Sequence, residues 1–337
     1  MRPRSRAYLG VDAGNSKTVA LVADATGEIL GRGRGGVGDI YGATSEEAAV
    51  DSVVAAATAA LDAAGMAPSQ VVAAALRLAG VDWAEDEDYW VDAAARRMPG
   101  LARVSILNDG FALLRCGDLS GVGVAVNAGT GPAVAARGRD GQEYCASWWI
   151  QHPLGGYGLG AAAYRAVVDA EIGLGPPTVL TAELLRLFGY PDVGSLLHAF
   201  TRRATTRTDR DLAAAARSVL RSAGAGDEVA CAIVATGTRT FAGLARVAAE
   251  QTGLAADGQP VPVVLGGSVL TSEHPAYRLA LVEELQRELG EVRVAATAAS
   301  PVAGALLDAL AEGGVTLDQA VHDRVLTASH PADFLLT

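Results

Sequence analysis

Residues 8–22, YLGVDAGNSKTVALV, place an aspartate, a glycine, a lysine and a threonine between two apolar runs. This is not a Walker loop, because the lysine follows serine and a β-branched strand comes next instead of a helix. The pattern predicts a glycine turn inside a hairpin, where backbone N–H groups bind an anion. Gly14, Asn15, Lys17 and Thr18 are candidate phosphate contacts, and Asp12 suits a nearby Mg²⁺. The alternative is a plain hairpin turn with an exposed lysine.

Two later glycine-rich stretches extend this chemistry. In NAGTGPAV, Gly129, Thr130 and Gly131 offer N–H groups and a hydroxyl to phosphate oxygens, so that two turns could clamp a triphosphate. In VVLGGSVL, Gly266 and Gly267 follow an apolar strand and would allow a flat ring such as adenine to approach the backbone. Tight turns without a ligand are the alternative for both stretches.

An aspartate at the end of an apolar strand is the candidate catalytic residue. In ILNDG, Asp109 ends such a strand, and ligand sites of α/β sheets gather at the carboxyl ends of strands. A carboxylate there can take a proton from a hydroxyl while a phosphoryl group leaves ATP. The alternative is that Asn108 and Asp109 only cap the following helix.

The elements that would position these residues alternate between strands and helices, which indicates an α/β fold. Residues 7–13 and 18–24 predict strands around the first turn. Thr44 and Glu47 predict a capping box for a helix that ends at Gly65. Further helices are predicted at 159–172, 178–188, 192–204, 208–223, 227–251, 276–289 and 301–312, with a further strand at 292–296.

Composition excludes several function classes. The 337 residues carry a net charge of −11, which argues against nucleic acid and anionic membranes as partners. The three cysteines form no C-x-x-C pair, so a disulfide framework or an iron–sulfur site is not expected. No apolar run has the length of a signal peptide or a membrane span, so we expect a cytoplasmic protein.

The motifs DAGNSKT, LAGVD, LNDG, NAGTG, GLGAAAYRAV, VLGGSVL and SPVAGALL follow one another in an order that resembles the BadF/BadG/BcrA/BcrD-type ATPase family, which includes N-acetylglucosamine kinase. The resemblance implies two ribonuclease-H-like domains of the actin/hexokinase type, with an ATP cleft between them. It places the N-terminal domain at 1–117 and the C-terminal domain at 118–297. A helix at 298–312 would pack back on the N-terminal domain, and the tail 313–337 is left unassigned.

The resemblance also implies roles for single residues. Asp12 would lie near Mg²⁺, Asp109 would be the general base, and Gly266 and Gly267 would contact adenosine. The two phosphate loops would consist of Gly14, Asn15, Lys17 and Thr18, and of Gly129, Thr130 and Gly131.

The substrate pocket departs from the family pattern. Asp39 stands where these kinases typically carry an asparagine, and the stretch HPLGGYGLG lacks their acidic sugar-binding run. Asp39, Asn108, Asp109, Gly155 and Gly156 are the candidate substrate contacts. A carboxylate at position 39 would favour an amine-bearing or more polyhydroxylated substrate. The alternative is that Asp39 is a solvent-facing loop aspartate.

The resulting hypothesis is a kinase that uses ATP and Mg²⁺ to phosphorylate a sugar or amino sugar. A kinase of an aminocyclitol or a similar polyol and a non-catalytic sugar or nucleotide sensor remain open as alternatives. The same superfamily contains ATPases that activate redox enzymes, but the cysteine spacing does not favour this role. Relatives are commonly homodimers, so a homodimer is a further expectation.

Overall fold

The computed structural model describes residues 6–205, 207–256 and 258–336. Its strands form two five-stranded sheets. In chain order the strands are β1 (Ala7–Ala13), β2 (Thr18–Ala23), β3 (Ile29–Gly35), β4 (Val71–Leu78), β5 (Val104–Asn108), β6 (Gly123–Ala128), β7 (Pro132–Arg137), β8 (Glu143–Cys145), β9 (Val261–Gly266) and β10 (Val292–Ala296).

The strands alternate with helices, which confirms the α/β fold class. In chain order the helices are α1 (Glu46–Ala64), α2 (Ala84–Arg97), α3 (Leu114–Gly117), α4 (Gly155–Glu171), α5 (Leu180–Phe188), α6 (Val193–Thr201), α7 (Ala216–Gly224), α8 (Glu228–Gln251), α9 (Ala276–Leu289), α10 (Pro301–Glu312) and α11 (Gln319–Leu326). Within the described residues, no helix combines the length and the apolar character needed to cross a membrane.

The two sheets share one topology. The first has the strand order β3-β2-β1-β4-β5, and the second has the order β8-β7-β6-β9-β10. In the first sheet β1, β2 and β3 pair antiparallel, whereas β4 and β5 continue parallel to β1. In the second sheet β6, β9 and β10 likewise pair parallel. A repeated order of this kind indicates two copies of one α/β unit.

The chain divides into two compact units. The first contains the chain up to Gly123, the segment Ala136–Cys145 and the chain from Ala299 onward. The second contains Val124–Ala135 and Ala146–Ala298. Helix α10 therefore belongs to the first unit, where Leu306 and Leu310 pack with residues of β2 and β4.

Helix α1 covers one face of the first sheet. The hydroxyl of Ser45 accepts a hydrogen bond from the N–H of Ala48 at 3.1 Å, so the prediction of Thr44 as the capping residue is wrong by one position. The helix ends at Gly65 as predicted, because glycine adopts the left-handed conformation there. Gly33 of β3 lets the helix approach, since a Cβ at this position would lie 1.9 Å from the carbonyl oxygen of Ala56.

A buried ion-pair cluster joins α10 to β4, to α3 and to the last residue of β7. The carboxylate of Asp308 pairs with the guanidinium groups of Arg77 at 2.8 Å, Arg115 at 2.7 Å and Arg137 at 3.3 Å. Arg77 also pairs with Glu312 at 2.8 Å. The pKa of Asp308 is lowered because the attraction of the three arginines outweighs the effect of burial.

Candidate functional site

Three aspartates lie at the carboxyl ends of neighbouring parallel strands in the first unit. Asp12 is the penultimate residue of β1, Asp82 lies in the loop that follows β4, and Asp109 follows β5 directly. Strands β1, β4 and β5 are adjacent and parallel, so these three positions meet at one edge of the sheet. This edge is where α/β sheets bind ligands.

Burial raises the pKa of the carboxyl groups at this edge, and for Asp109 neighbouring carboxylates add to the effect. The pKa of Asp109 is raised to about 7, chiefly because burial disfavours the charged form and then because Asp12, Asp82 and Asp39 are negatively charged neighbours. Burial raises the pKa of Asp12 to about 6 against the attraction of Lys17. Asp109 therefore exchanges protons near neutral pH, as a general base must.

The first glycine turn has the hairpin geometry that the sequence predicts. The N–H of Gly14 donates to the carbonyl of Lys17 at 3.0 Å and closes the turn between β1 and β2. The ammonium group of Lys17 donates to the carbonyl of Leu335, so the C-terminal segment holds this lysine. The side chain of Thr18 is fully buried, and its hydroxyl donates to the carbonyl of Gly36 at 3.0 Å. Thr18 thus presents no open face to a phosphate.

Asp39 is a buried residue whose carboxylate already has partners. Asp39 is only 6% exposed. Its carboxylate accepts hydrogen bonds from the side-chain amide of Asn15 and, at 2.9 Å, from the N–H of Tyr41. The structure therefore joins two predicted contacts, Asn15 of the phosphate loop and Asp39 of the substrate pocket. Asp39 orders the loop around the first turn.

Asn108 forms hydrogen bonds through both the oxygen and the nitrogen of its side-chain amide. Its oxygen accepts a hydrogen bond from the N–H of Gly110 at 2.9 Å, which caps the 3-10 turn Asp109–Leu113. Its nitrogen donates to the carboxylate of Asp82 at 2.8 Å. The capping alternative for Asn108 is thus what the structure shows, and Asp82 is the new member of the site.

Asp82, the last residue of the LAGVD motif, is a site residue for which no role was predicted. Its second carboxylate oxygen accepts no hydrogen bond from the residues that the structure describes. The pKa of Asp82 is raised to about 6, chiefly by burial and then by the charges of Asp86 and Asp39. Its position just after a parallel strand was the available signal, because Asp109 was found by the same criterion.

The second glycine turn lies in the second unit, between β6 and β7. The carbonyls of Gly129 and Thr130 accept hydrogen bonds from the N–H groups of Gly156 at 2.8 Å and Tyr157 at 3.0 Å. Thr130 and Gly131 are exposed. Gly156 and Tyr157, at the start of α4, therefore support this turn. Gly155 packs against it, since a Cβ there would lie 2.9 Å from the carbonyl oxygen of Gly131.

A cavity of about 880 Å³ adjoins this turn within the second unit. Its wall includes Gly129, Thr130 and the segment that follows β9, from Ser268 to Glu273. Gly266 and Gly267 are not part of the wall. A Cβ at Gly267 would lie 2.4 Å from the carbonyl carbon of Ala128, so this glycine serves packing on β6. Contact of Gly266 and Gly267 with adenosine stays a prediction, whereas residues of the segment that follows them line the cavity.

Arginines on α5 and α7 also line this cavity, and the sequence reasoning missed them. Arg186 and Arg221 both pair with Glu183. Arg217 forms no ion pair or hydrogen bond with the described part of the chain, so its guanidinium is free to meet a phosphate or an aromatic base. No sequence motif marks these positions, since they meet only after the helices fold around the cavity.

Two sheets of one topology, each with a glycine turn between its first two strands, define the two-domain fold class of actin and hexokinase. Within this class, residues 9–311 match the BadF/BadG/BcrA/BcrD ATPase family, and the chain belongs to that family. The family resemblance expected from the order of the motifs is thereby confirmed.

Solved structures of similar proteins cover nearly the whole chain. A "putative N-acetylglucosamine kinase" from Chromobacterium violaceum has 26% identity and a TM-score of 0.64, with 90% of this chain and 99% of that chain covered. A "putative N-acetylglucosamine kinase" from Porphyromonas gingivalis has 19% identity and a TM-score of 0.61, with coverage of 89% and 97%. A ROK family glucokinase from Streptomyces griseus, in complex with glucose and AMPPNP, has 19% identity and a TM-score of 0.55, with coverage of 90% and 98%. A comparison with curated proteins finds no match.

Proposed function

We propose that this protein transfers the γ-phosphate of ATP to a hydroxyl of a sugar or amino sugar. The observation that carries the proposal is Asp109, a carboxylate with a pKa of about 7 at the carboxyl end of β5. The family match and the 26% identity to the Chromobacterium violaceum protein support it.

Asp109 would act as the general base. Above pH 7 its carboxylate is ionised and accepts the proton of the attacking hydroxyl, which becomes a stronger nucleophile. Bound ATP with Mg²⁺ supplies the phosphoryl group. The remaining role of the protein is to orient the hydroxyl and to exclude water, which limits wasteful hydrolysis.

The carboxylate of Asp12 would serve as one ligand of a magnesium ion. Its carboxylate accepts no hydrogen bond from the described residues, and burial disfavours its charged form, so a cation would relieve an existing cost. The described residues contain no cluster of three or more potential metal ligands. Proteins usually hold Mg²⁺ through one or two carboxylates together with substrate phosphates and waters, so a single carboxylate suffices for this role.

Asp82 and Asn108 would orient the acceptor beside Asp109. Asn108 holds one oxygen of Asp82 at 2.8 Å and leaves the other oxygen for a donor on the ligand. A hydroxyl or an ammonium group supplies such a donor, and the ammonium forms the stronger, charge-assisted hydrogen bond. We therefore expect an amino sugar to be a better acceptor than a neutral hexose.

Each unit offers candidate phosphate contacts of its own. In the first unit they would be the N–H group of Asn15 and the ammonium of Lys17, which would leave the carbonyl of Leu335 to reach a phosphate. The N–H of Gly14 already closes the turn and would only hold its shape. In the second unit they would be the N–H groups of Thr130 and Gly131, with the nucleoside in the 880 Å³ cavity.

A panel of acceptors tests the proposed function. Purified protein with ATP and Mg²⁺ is mixed with glucosamine, N-acetylglucosamine, glucose or an aminocyclitol, and the phosphorylated product is identified by mass spectrometry. We expect product from at least one amino sugar. Absence of product from every acceptor, with intact ATP binding, would favour the non-catalytic sensor, and product from the aminocyclitol alone would favour the polyol kinase.

A further inference from the structure

A buried carboxylate at the start of α2 has no part in the chemistry proposed above. Asp86 is 4% exposed, and three donors satisfy its carboxylate. One oxygen accepts hydrogen bonds from the N–H groups of Asp82 at 3.0 Å and Trp83 at 2.8 Å, and the other accepts one from the hydroxyl of Tyr41 at 2.7 Å. Because a buried carboxylate is costly without such donors, these bonds hold the side chain in one position.

Only part of this arrangement serves α2 itself. Asp86 is the third residue of the helix, where an acidic or amide side chain commonly accepts a hydrogen bond from the N–H of the residue that precedes the helix. Tyr41 is different, because it lies in the loop after β3, 45 positions away along the chain. Capping of a helix needs no partner in another loop, so the bond to Tyr41 requires a separate explanation.

The loop after β3 carries Asp39, and Tyr41 is part of the same turn. The N–H of Tyr41 donates to the carboxylate of Asp39 at 2.9 Å. The carbonyl of Asp39 accepts hydrogen bonds from the N–H groups of Gly42 at 3.1 Å and Ala43 at 2.8 Å. Residues 39–43 therefore form a compact turn, and a bond that holds the Tyr41 side chain restrains this turn as a whole.

The loop after β4 carries Asp82 and lies against this turn. A Cβ at Gly80 would be 2.5 Å from a carboxylate oxygen of Asp39 and 3.1 Å from a ring carbon of Tyr41. The N–H of Asp82 donates to Asp86. The two loops therefore meet at Gly80, and the carboxylate of Asp86 joins them a second time.

We propose that Asp86 is a positioning residue of the acceptor site, because its carboxylate joins the loop of Asp39 to the loop of Asp82 and fixes the relative positions of these two side chains. The inference rests on the proposed function, in which Asp82 receives a donor group of the acceptor. Asp86 acts through Asp82 and Asp39 and needs no contact of its own with the acceptor.

Loss of this connection should affect acceptor binding more than ATP binding. The first glycine turn is closed by its own hydrogen bond, from the N–H of Gly14 to the carbonyl of Lys17, which does not involve Asp86. The acceptor contacts have no comparable support, because Asp82 follows a strand on a loop. The proposal therefore predicts a larger acceptor KM with a nearly unchanged KM for ATP.

Tyr41→Phe is the decisive variant, because it removes the hydroxyl that joins the loops and leaves both the N–H bonded to Asp39 and the cap of α2. With glucosamine or N-acetylglucosamine as the acceptor, whichever gives more product, the acceptor KM should rise about tenfold, the worth of one hydrogen bond to a charged group. The values of kcat and of the KM for ATP should change by less than about threefold. Tyr89→Phe is the matched control on α2, because the Tyr89 hydroxyl has no partner among the described residues, and it should leave all three constants unchanged.

Two substitutions of Asp86 separate positioning from a merely structural role. Asp86→Asn keeps an oxygen for the two N–H groups and an amide that can donate to the oxygen of Tyr41, so it should raise the acceptor KM less than Asp86→Ala does. A structural role would instead lower the midpoint of thermal unfolding and the active fraction, which reduces kcat without a change in the acceptor KM.

Hydrogen exchange of the ligand-free protein tests the connection without any transfer reaction. The peptides that contain residues 39–43 and 79–84 should exchange at least about threefold faster in Tyr41→Phe than in the wild type or Tyr89→Phe. Unchanged exchange in both loops would overturn the proposal, and so would an acceptor KM that Tyr41→Phe leaves at the wild-type value. A wild type that phosphorylates neither sugar would refute the proposed function instead, and the exchange rates would then decide whether Asp86 joins the two loops.

Discussion

Replacement of Asp109 by asparagine should stabilise the ligand-free protein at pH 8. The pKa of this carboxyl group rises from its ordinary value of 3.8 to about 7 in the fold, so at pH 8 the native state holds a charge that its surroundings disfavour. A group with a raised pKa contributes stability below its unfolded pKa and loses that contribution as the pH rises through the folded value. Asparagine carries no charge and avoids this loss.

The magnitude follows from the size of the shift. About three pKa units correspond to about 4 kcal/mol of differential interaction between the two protonation states. Asp109 is only partly buried, so solvent screens part of this energy. We therefore expect a stabilisation of about 1–3 kcal/mol at pH 8 that is nearly absent at pH 4, where the folded wild type is already protonated.

Urea unfolding at the two pH values measures this difference. Hydrogen-exchange protection of peptides from β1 and β5 reports on the first unit alone, which avoids a mixed signal from two units. Asp88→Asn is the matched control, because Asp88 is an exposed aspartate of α2, and it should leave the free energy of unfolding within about 0.5 kcal/mol. Equal stability of Asp109→Asn and wild type at pH 8 would refute the raised pKa.

Three further predictions concern other parts of the structure. In the wild type, kcat/KM should fall about tenfold per pH unit below pH 7, because protonation of Asp109 removes the base; a flat pH–rate profile down to pH 5 would exclude it from this role. Asp308→Ala should lower the free energy of unfolding by about 3–5 kcal/mol, measured by urea unfolding of the first unit, because it leaves three arginines without their buried partner. Gly155→Ala should weaken ATP binding at least about tenfold in calorimetry, because the new Cβ would lie 2.9 Å from the Gly131 carbonyl oxygen. Gly173→Ala is its control, since Gly173 also has a positive φ but faces open space, and equal effects of both substitutions would point to backbone strain alone.

Much of the fold could be read from the sequence because its local signals agree. The strand predicted at 292–296 and the helices predicted at 276–289 and 301–312 have these bounds in the structure. Apolar periodicity and a proline at a helix start mark them clearly. Helix α4 begins at Gly155, ahead of the predicted residue 159, because its glycines fit against the second glycine turn and only the tertiary contact shows this.

The tail gave weaker local signals. Within 313–337 the structure has α11, which Asp318 caps and which buries Val325 against the first unit. This helix is short, and packing rather than propensity stabilises helices of that length. The contact of Leu335 with Lys17 depends on the same packing and could not be read from the sequence.

The site residues that lie at the end of a single strand or in a single turn could be predicted from the sequence. Asp12 and Asp109 each end a recognisable strand. The roles of Asp39 and Asp82 depend on neighbours from other strands, because Asn15 engages the first and Asn108 the second. A single sequence does not reveal which carboxylate oxygen is left without a hydrogen-bond donor.

Single-turnover transfer by wild type and Asp109→Asn tests the central claim most directly. Both proteins are mixed with labelled ATP, Mg²⁺ and the best amino-sugar acceptor, and the labelled sugar phosphate is measured against time. The account predicts rapid transfer by the wild type, loss of at least about 100-fold in the variant, and ATP binding by the variant within about threefold of the wild type. Transfer by Asp109→Asn at the wild-type rate would contradict the assignment of Asp109 as the base.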